Sequence, residues 1–469
     1  MNIRKIMATA CVAAAMSSCS NYLDIKPYGK VIPETAEEFA ALLNNRLNDI
    51  DEGETNWLVP NFSHTSDLDA VFGDDFEVCL TSTGGARLGT YVGSVIANNN
   101  SDSYYSNLYE IIRDCNIILS EMEERGTEQA DKVIATAQAM RGACYYQLMR
   151  YFCETPRPGA FESQNGLPLV TSFDMEATPA RSPMGTTVEM IENDLQAAIA
   201  ANMTDDVFRF TADVARGYLC RLYFWTGQWQ KALTEADGIL SRHPLLDRPA
   251  YETMMQEPYD LAGNQMLKAY RSISSSGSSQ ISTIISTLAN RPVSARFVEA
   301  FGDEKDRDIR YSLSINTKRQ AKKTIFCGMR SAEFALIKAE CQYHLGDQAG
   351  ALATVNDLRS RRIEGCVDYK MNEIPGRNAR EIITKDVTGS DLTPLMALIL
   401  RERRKELFLE GDRFFELKRN GCPEFAIYFN GAKYTTRSYM YTFPIPLRDL
   451  DISPNLVQNP GYVEIVNKN

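Results

Sequence analysis

Histidine is scarce in this chain of 469 residues, which has only His64, His243 and His344. None of them stands in a GxSxG or HExxH setting, so the nucleophile elbow of the α/β-hydrolases and the zincin helix are both missing. No GxxxxGK or GxGxxG loop occurs to cradle a phosphate. No CxxC pair occurs either, which removes the usual structural-zinc frameworks. Past the N-terminus there is no run of eighteen apolar residues, so no later segment reads as a membrane span. Positive charge is not in excess. Lys and Arg number 50 against 61 Asp and Glu, a net charge of −11. That balance argues against nucleic acid, whose phosphates need a basic surface. The sequence leaves open a Ser-His-Asp site gathered from distant segments and a glycosidase carboxylate pair, because neither needs its members adjacent.

The N-terminus carries the most information. Met1 to Lys5 is basic, Ile6 to Ala15 is apolar and Ala-rich, and Met16-Ser17-Ser18 leads into Cys19. A basic start, an apolar run too short to cross a bilayer and small residues at the cut define a secretory leader. A cysteine directly after them makes it a lipobox, with Met16 where Leu is usual. Residues 1–18 are therefore expected to be a signal peptide. Cys19 is expected to be acylated and to hold the mature chain on a membrane by its lipid. Cleavage without lipidation and a short membrane anchor are the alternatives. Removing Cys11 and Cys19 from the eleven cysteines leaves nine, an odd number, so at least one thiol stays unpaired within the chain. Cys115, Cys144, Cys220 and Cys341 fall on apolar helical stripes and read as small core residues.

Residues 19–30 read as a tether, and Pro33-Glu34-Thr35 opens a first helix. Residues 50–103 are turn-rich. Tyr105, Leu108, Ile112, Cys115 and Leu119 then form one helical stripe. Val133, Ala137, Met140, Cys144, Tyr145, Leu148 and Phe152 form another. Thr186-Thr187-Val188-Glu189 looks like a capping start for a helix to Ala201. A weak repeat follows. Shifting Ala215–Leu240 by 119 residues places Gly227 on Gly346, Ala232 on Ala351 and Leu233 on Leu352. A glycine between two amphipathic helices, with Ala in the second, is the logic of a tetratricopeptide hairpin. The fold class expected is mainly α, a tetratricopeptide-like scaffold with an irregular, loop-rich insertion and a few short strands. The scaffold spans about 104–240 and 330–420, the loop-rich region about 50–103 and 241–329, and an extended tail 421–469. Arg271–Gln280 reads as a polar flexible run, 310–330 as a strand pair, Ser294–Phe301 as a short helix and Tyr439–Ile445 as a strand.

The charge-dense Arg401-Glu402-Arg403-Arg404-Lys405-Glu406 with Glu410 to Arg413 reads as an ion-paired network locking helix to helix. The acidic loop Asp67 to Asp75 lacks the ligand spacing of a calcium loop, and neither metal nor cofactor is expected. Aromatics are better functional candidates. A sugar offers C–H bonds on its face and hydroxyls at its rim, which aromatic faces and Asn, Asp or Arg complement. On that ground Trp57, Asp67, Tyr91, Asn98, Tyr104 and Arg291 are the candidate ligand-binding residues, in or beside loops of 57–103 and 262–295.

Several segments in chain order resemble one known family. They are the lipobox, Tyr22-Leu23-Asp24, Leu108 to Asn116, Met140-Arg141-Gly142-Ala143 and Gly227-Gln228-Trp229. Phe297 to Arg310, Arg330 to Glu340, Arg401 to Arg419, Phe443-Pro444-Ile445-Pro446 and Gln458 to Tyr462 complete the set. Together they resemble the SusD/RagB family of outer-membrane nutrient-binding lipoproteins. The resemblance implies one SusD-like domain over 31–469, lipid-anchored in the outer membrane and exposed at the cell surface. It implies capture of oligosaccharides or polysaccharides without chemistry, and their delivery to a TonB-dependent, SusC-like transporter. Peptide binding on the same machinery and a surface glycosidase are the alternatives.

Overall fold

A computed structural model describes residues 33–54, 57–77, 91–97, 101–172, 178–272, 275–323, 325–429 and 431–462. Cys19 and Asn98 lie outside these. Seventeen helices and six short strands make up the described residues. None of these helices is long and apolar enough to cross a membrane.

Helix α1 (Ala36–Glu52) starts where Thr35 predicts. The Thr35 side chain accepts from the Glu38 N–H while Glu38 accepts from the Thr35 N–H, a reciprocal capping box. Short helices α2 (Phe62–Ala70) and α3 (Val92–Ala97) interrupt the turn-rich stretch. Next come α4 (Asp102–Glu121) and α5 (Glu128–Phe152), packed together. The α5 stripe from Val133 to Phe152 is fully buried. Strand β1 (Asn165–Pro168) pairs antiparallel with β2 (Arg181–Pro183), and α6 (Met184–Ala200) follows and lies on α5. Helix α6 begins two residues before the expected Thr186. Thr187 does not cap it, because its hydroxyl accepts the Leu167 N–H at 3.0 Å and ties the helix to β1.

Helices α7 (Ala212–Trp225) and α8 (Trp229–Arg242) are the first copy of the sequence repeat. Helix α9 (Arg248–Gln256), strand β3 (Gln265–Lys268), and helices α10 (Ser275–Ala289), α11 (Ala295–Glu299) and α12 (Ile309–Ser314) fill the insertion, which β4 (Gly328–Arg330) closes by pairing with β3. The second copy is α13 (Ser331–His344) with α14 (Gln348–Ser360). Gly227 and Gly346 sit at the two turns with φ +70° and +88°, the left-handed region that glycine enters without a Cβ clash. Helix α8 packs on α13, so the two copies stack directly although the insertion separates them in sequence. Helix α15 (Pro394–Glu406) covers α13, then come α16 (Arg413–Arg419), strands β5 (Phe425–Phe429) and β6 (Ala432–Thr436), and α17 (Leu447–Ile452).

Three local expectations fail. The polar run at 271–280 runs into α10, because Ile281, Ile284 and Leu288 recur at helical spacing and the last two are buried. Residues 310–330 form α12 and one isolated bridge, Ile315 with Ala321, while β4 pairs outside the segment. Ser438–Tyr441 is a 3-10 turn, and the strands of the tail lie earlier, at 425–436.

The charged segment locks the halves together. Arg330 donates to Glu406 at 2.7 Å and to Glu410 at 2.8 and 2.9 Å, and Arg362 also reaches Glu406. Arg310 grips Asp308 and Glu402, both at 2.7 Å. Arg413 reaches Asp74, Glu381 and Glu416. All of these ions except Glu381 and Glu410 are buried. Charges removed from water at this density persist only when paired and hydrogen-bonded, so the network is structural.

Candidate functional site

Four of the expected site residues come together, mostly in the interior. The Trp57 indole stacks on Tyr104 with ring centres 3.8 Å apart and meets His64 edge-on at 4.3 Å. Tyr104 is only 3 % exposed, so it supports Trp57 from beneath rather than facing a ligand. Arg291 is also buried, and its guanidinium donates to the Ala70 carbonyl at 2.6 Å. It therefore caps the C-terminal end of α2, where a cation suits the orphan carbonyls. Both residues were expected at the binding surface, and both serve packing. Asp67 is half-buried on α2, and burial pushes its carboxyl up to about 7 against the partial opposition of Arg291. His64 is held neutral, since burial takes its pKa well below the usual value. Its Nε2 meets the Tyr151 hydroxyl at 2.5 Å. Among the described residues, Trp57 Nε1 and His64 Nδ1 have no hydrogen-bond partner.

Tyr91 goes elsewhere. It opens α3, whose end packs beside the 3-10 turn at 438–441. The Ser94 hydroxyl donates to the Tyr91 carbonyl at 2.6 Å and fixes the turn. The half-buried Tyr91 ring lies 5.4 Å from Tyr434 at 44°. Partial burial, then Tyr439 and Tyr434, raise its hydroxyl pKa.

Tyr434 belongs to the β5–β6 hairpin, whose ladder pairs Phe425 with Thr436, Ile427 with Tyr434 and Tyr428 with Lys433. Paired residues share a face and neighbours along a strand alternate. One face thus carries Phe425, Ile427, Phe429 and Tyr434 towards Tyr91. The other turns Tyr428 and Lys433 to solvent, with Tyr428 61 % exposed. Two clefts flank this hairpin. One, of about 500 Å³, is lined by Phe76, Ser294, Arg296, Arg380, Phe425 and Tyr428 among others. The other, of about 480 Å³, is lined by Glu154, Arg157, Asp386, Lys418, Cys422 and Tyr439 among others. Aromatic faces beside hydrogen-bonding side chains, in clefts of ligand size, suit a neutral polyhydroxylated ligand.

Tyr428, Tyr434 and Tyr439 were not among the expected site residues. The signal for Tyr428 and Tyr434 lay in Asn430-Gly431, flanked by FAIYF and AKYTT. An Asn-Gly pair between β-prone runs is a strong hairpin signature.

Two family models match in succession. Residues 21–224 match "Starch-binding associating with outer membrane" and residues 246–462 match "SusD family". The chain belongs to the SusD family. Similar solved structures carry the same fold. A SusD superfamily protein from Bacteroides vulgatus aligns at 20 % identity with TM-score 0.69, covering 92 % of this chain and 100 % of the other. A putative sugar binding protein from Bacteroides vulgatus aligns at 21 % identity with TM-score 0.67, covering 92 % and 100 %. A SusD superfamily protein from Bacteroides thetaiotaomicron aligns at 22 % identity with TM-score 0.66, covering 91 % and 100 %. Comparison with curated proteins gave no match. The SusD family is described by its models and relatives in terms of carbohydrate binding and association with the outer membrane.

Proposed function

We propose that this SusD-family protein is a cell-surface lipoprotein of the outer membrane. Its lipid is carried on Cys19, and it captures oligosaccharides or polysaccharides and passes them unaltered to a TonB-dependent, SusC-like transporter. The observation that carries the binding site is the tyrosine ridge of the β5–β6 hairpin, with Tyr434 against Tyr91 on one face and the exposed Tyr428 lining a cleft of about 500 Å³ on the other. Each aromatic contact to a sugar face is worth roughly 1 kcal/mol, so affinity is modest and grows with the number of units engaged.

Isothermal titration against a polysaccharide panel tests the reading. At least one glycan binds, and Tyr428→Ala and Tyr91→Ala each weaken it several-fold. Unchanged binding in both variants removes the ridge, and binding of peptides with no glycan bound removes the glycan. New reducing ends after incubation with the bound glycan would replace capture with hydrolysis. Labelling with a fatty-acid probe, lost in Cys19→Ala, tests the anchor. Recovery of a large β-barrel receptor with the tagged protein tests the transporter.

A further inference from the structure

The two clefts are close neighbours along the chain. Cys422 lines one and Phe425 the other. They are three residue steps apart, at most about 11 Å of chain at 3.3–3.6 Å per residue. A second segment makes the same crossing, since Arg380 lines the first cleft and Asp386 the second. Two independent stretches therefore pass from one cleft to the other, and both clefts border the root of the β5–β6 hairpin.

The second cleft is preformed. Asp386 Oδ1 accepts from the Thr388 N–H at 2.8 Å, the Thr388 hydroxyl at 2.6 Å and the Ser390 N–H at 3.1 Å, fixing one rim. The Lys418 ammonium donates to the Arg150 and Cys153 carbonyls at 2.6 and 2.7 Å and fixes the floor. Each cleft offers one tyrosine and an exposed arginine: Tyr428 with Arg380 in the first, Tyr439 with Arg157 in the second. A rigid cleft with the same pair of features as its neighbour is a second subsite of the same chemistry.

We propose that the two clefts are consecutive subsites of one extended glycan site, and that the ligand is an interior stretch of a polymer lying across the hairpin root at Pro423-Glu424. This rests on the glycan reading above. A chain end or a monosaccharide fills one cleft only, whereas an interior stretch engages both, and the second contact is then intramolecular.

The test uses the mature full-length protein. A polysaccharide array identifies a bound glycan, and its linear oligomers of two to eight units are then titrated calorimetrically. The octamer is expected to bind about tenfold or more tightly than the trimer. Arg380→Ala and Arg157→Ala are each expected to weaken the octamer several-fold, while only one of them affects the trimer. Circular dichroism confirms that both variants are folded. A trimer that binds as tightly as the polymer, or an Arg157→Ala variant silent at every length, overturns the two-cleft site and leaves glycan capture standing. An array with no glycan bound overturns both.

Discussion

The Trp229 indole lies flat on the His344 imidazole, ring centres 4.3 Å apart and planes at 17°. Trp229 begins the second helix of one repeat copy, and His344 ends the first helix of the other. The stack therefore joins the copies across more than a hundred residues of chain. Trp229→Ala is expected to cost about 2–3 kcal/mol, below the range for a fully buried aromatic because Trp229 is half-buried. Urea unfolding followed by far-UV circular dichroism measures it. A loss under 0.5 kcal/mol would mean that the copies are held together elsewhere.

Arg404 makes three charge-assisted contacts from one guanidinium. Nε reaches Asp75 at 2.7 Å, one terminal nitrogen reaches Glu381 at 2.8 Å and the other reaches Asp74 at 3.1 Å. Removing one member of a buried ionic group leaves the others uncompensated, which costs about 3–5 kcal/mol. Arg404→Ala is expected to lose that much. Arg404→Lys recovers little of it, because a point charge cannot reproduce the planar fork. Denaturant midpoints of the two variants side by side decide the point.

The two repeat glycines differ in their surroundings. A Cβ on Gly346 meets nothing within 4 Å among the described residues, so Gly346→Ala pays only for the left-handed backbone, about 1 kcal/mol. A Cβ on Gly227 falls 2.8 Å from Pro158 Cγ as well. Gly227→Ala should therefore lower the melting temperature more than Gly346→Ala. Equal shifts would show that the Pro158 loop gives way freely.

Stability should depend on pH with opposite signs at two kinds of site. Burial alone would raise the Glu402 carboxyl, but Lys405 and Arg310 outweigh it and hold it at about 2. Burial likewise works against Glu340, which Arg419 and His344 hold at about 2. The unfolded chain binds protons at these sites first, so their contribution is complete above pH 4.5 and is lost as pH falls through about 2. Asp67, raised by burial to about 7, works the other way. Between about pH 4 and 7 the folded state holds a proton that the unfolded chain has released, so stability declines as pH rises across that window. Asp67→Asn mimics the protonated group, and its melting temperature should change less between pH 4 and 7 than that of the parent. Parallel profiles would mean that Asp67 ionises normally.

Much of the helical frame was readable because its signals are local. Thr35 with Glu38, the stripe from Val133 to Phe152, and Gly227 with Gly346 each report their structure within a few residues. The charge-dense helix was readable as a lock for a similar reason, since so many alternating charges on an apolar helix find partners or unfold it. The site was less legible. Tyr104 and Arg291 have the composition of ligand-binding residues, and only their long-range packing, under Trp57 and over the end of α2, assigns them to the interior. The ridge residues failed to register because Pro444 and Pro446 drew the tail towards an extended reading, although Asn430-Gly431 announced the hairpin.

The ionic lock also bears on how the molecule comes to be folded. Asp75 and Arg404 are 329 residues apart, so Asp75 waits for most of the polypeptide before its counter-charge arrives. Contacts of such sequence separation slow folding and couple distant segments. A chain truncated before residue 404 would leave Asp75 without the guanidinium groups of Arg404 and Arg413 and Asp74 with Arg296 alone, and is expected to fold poorly.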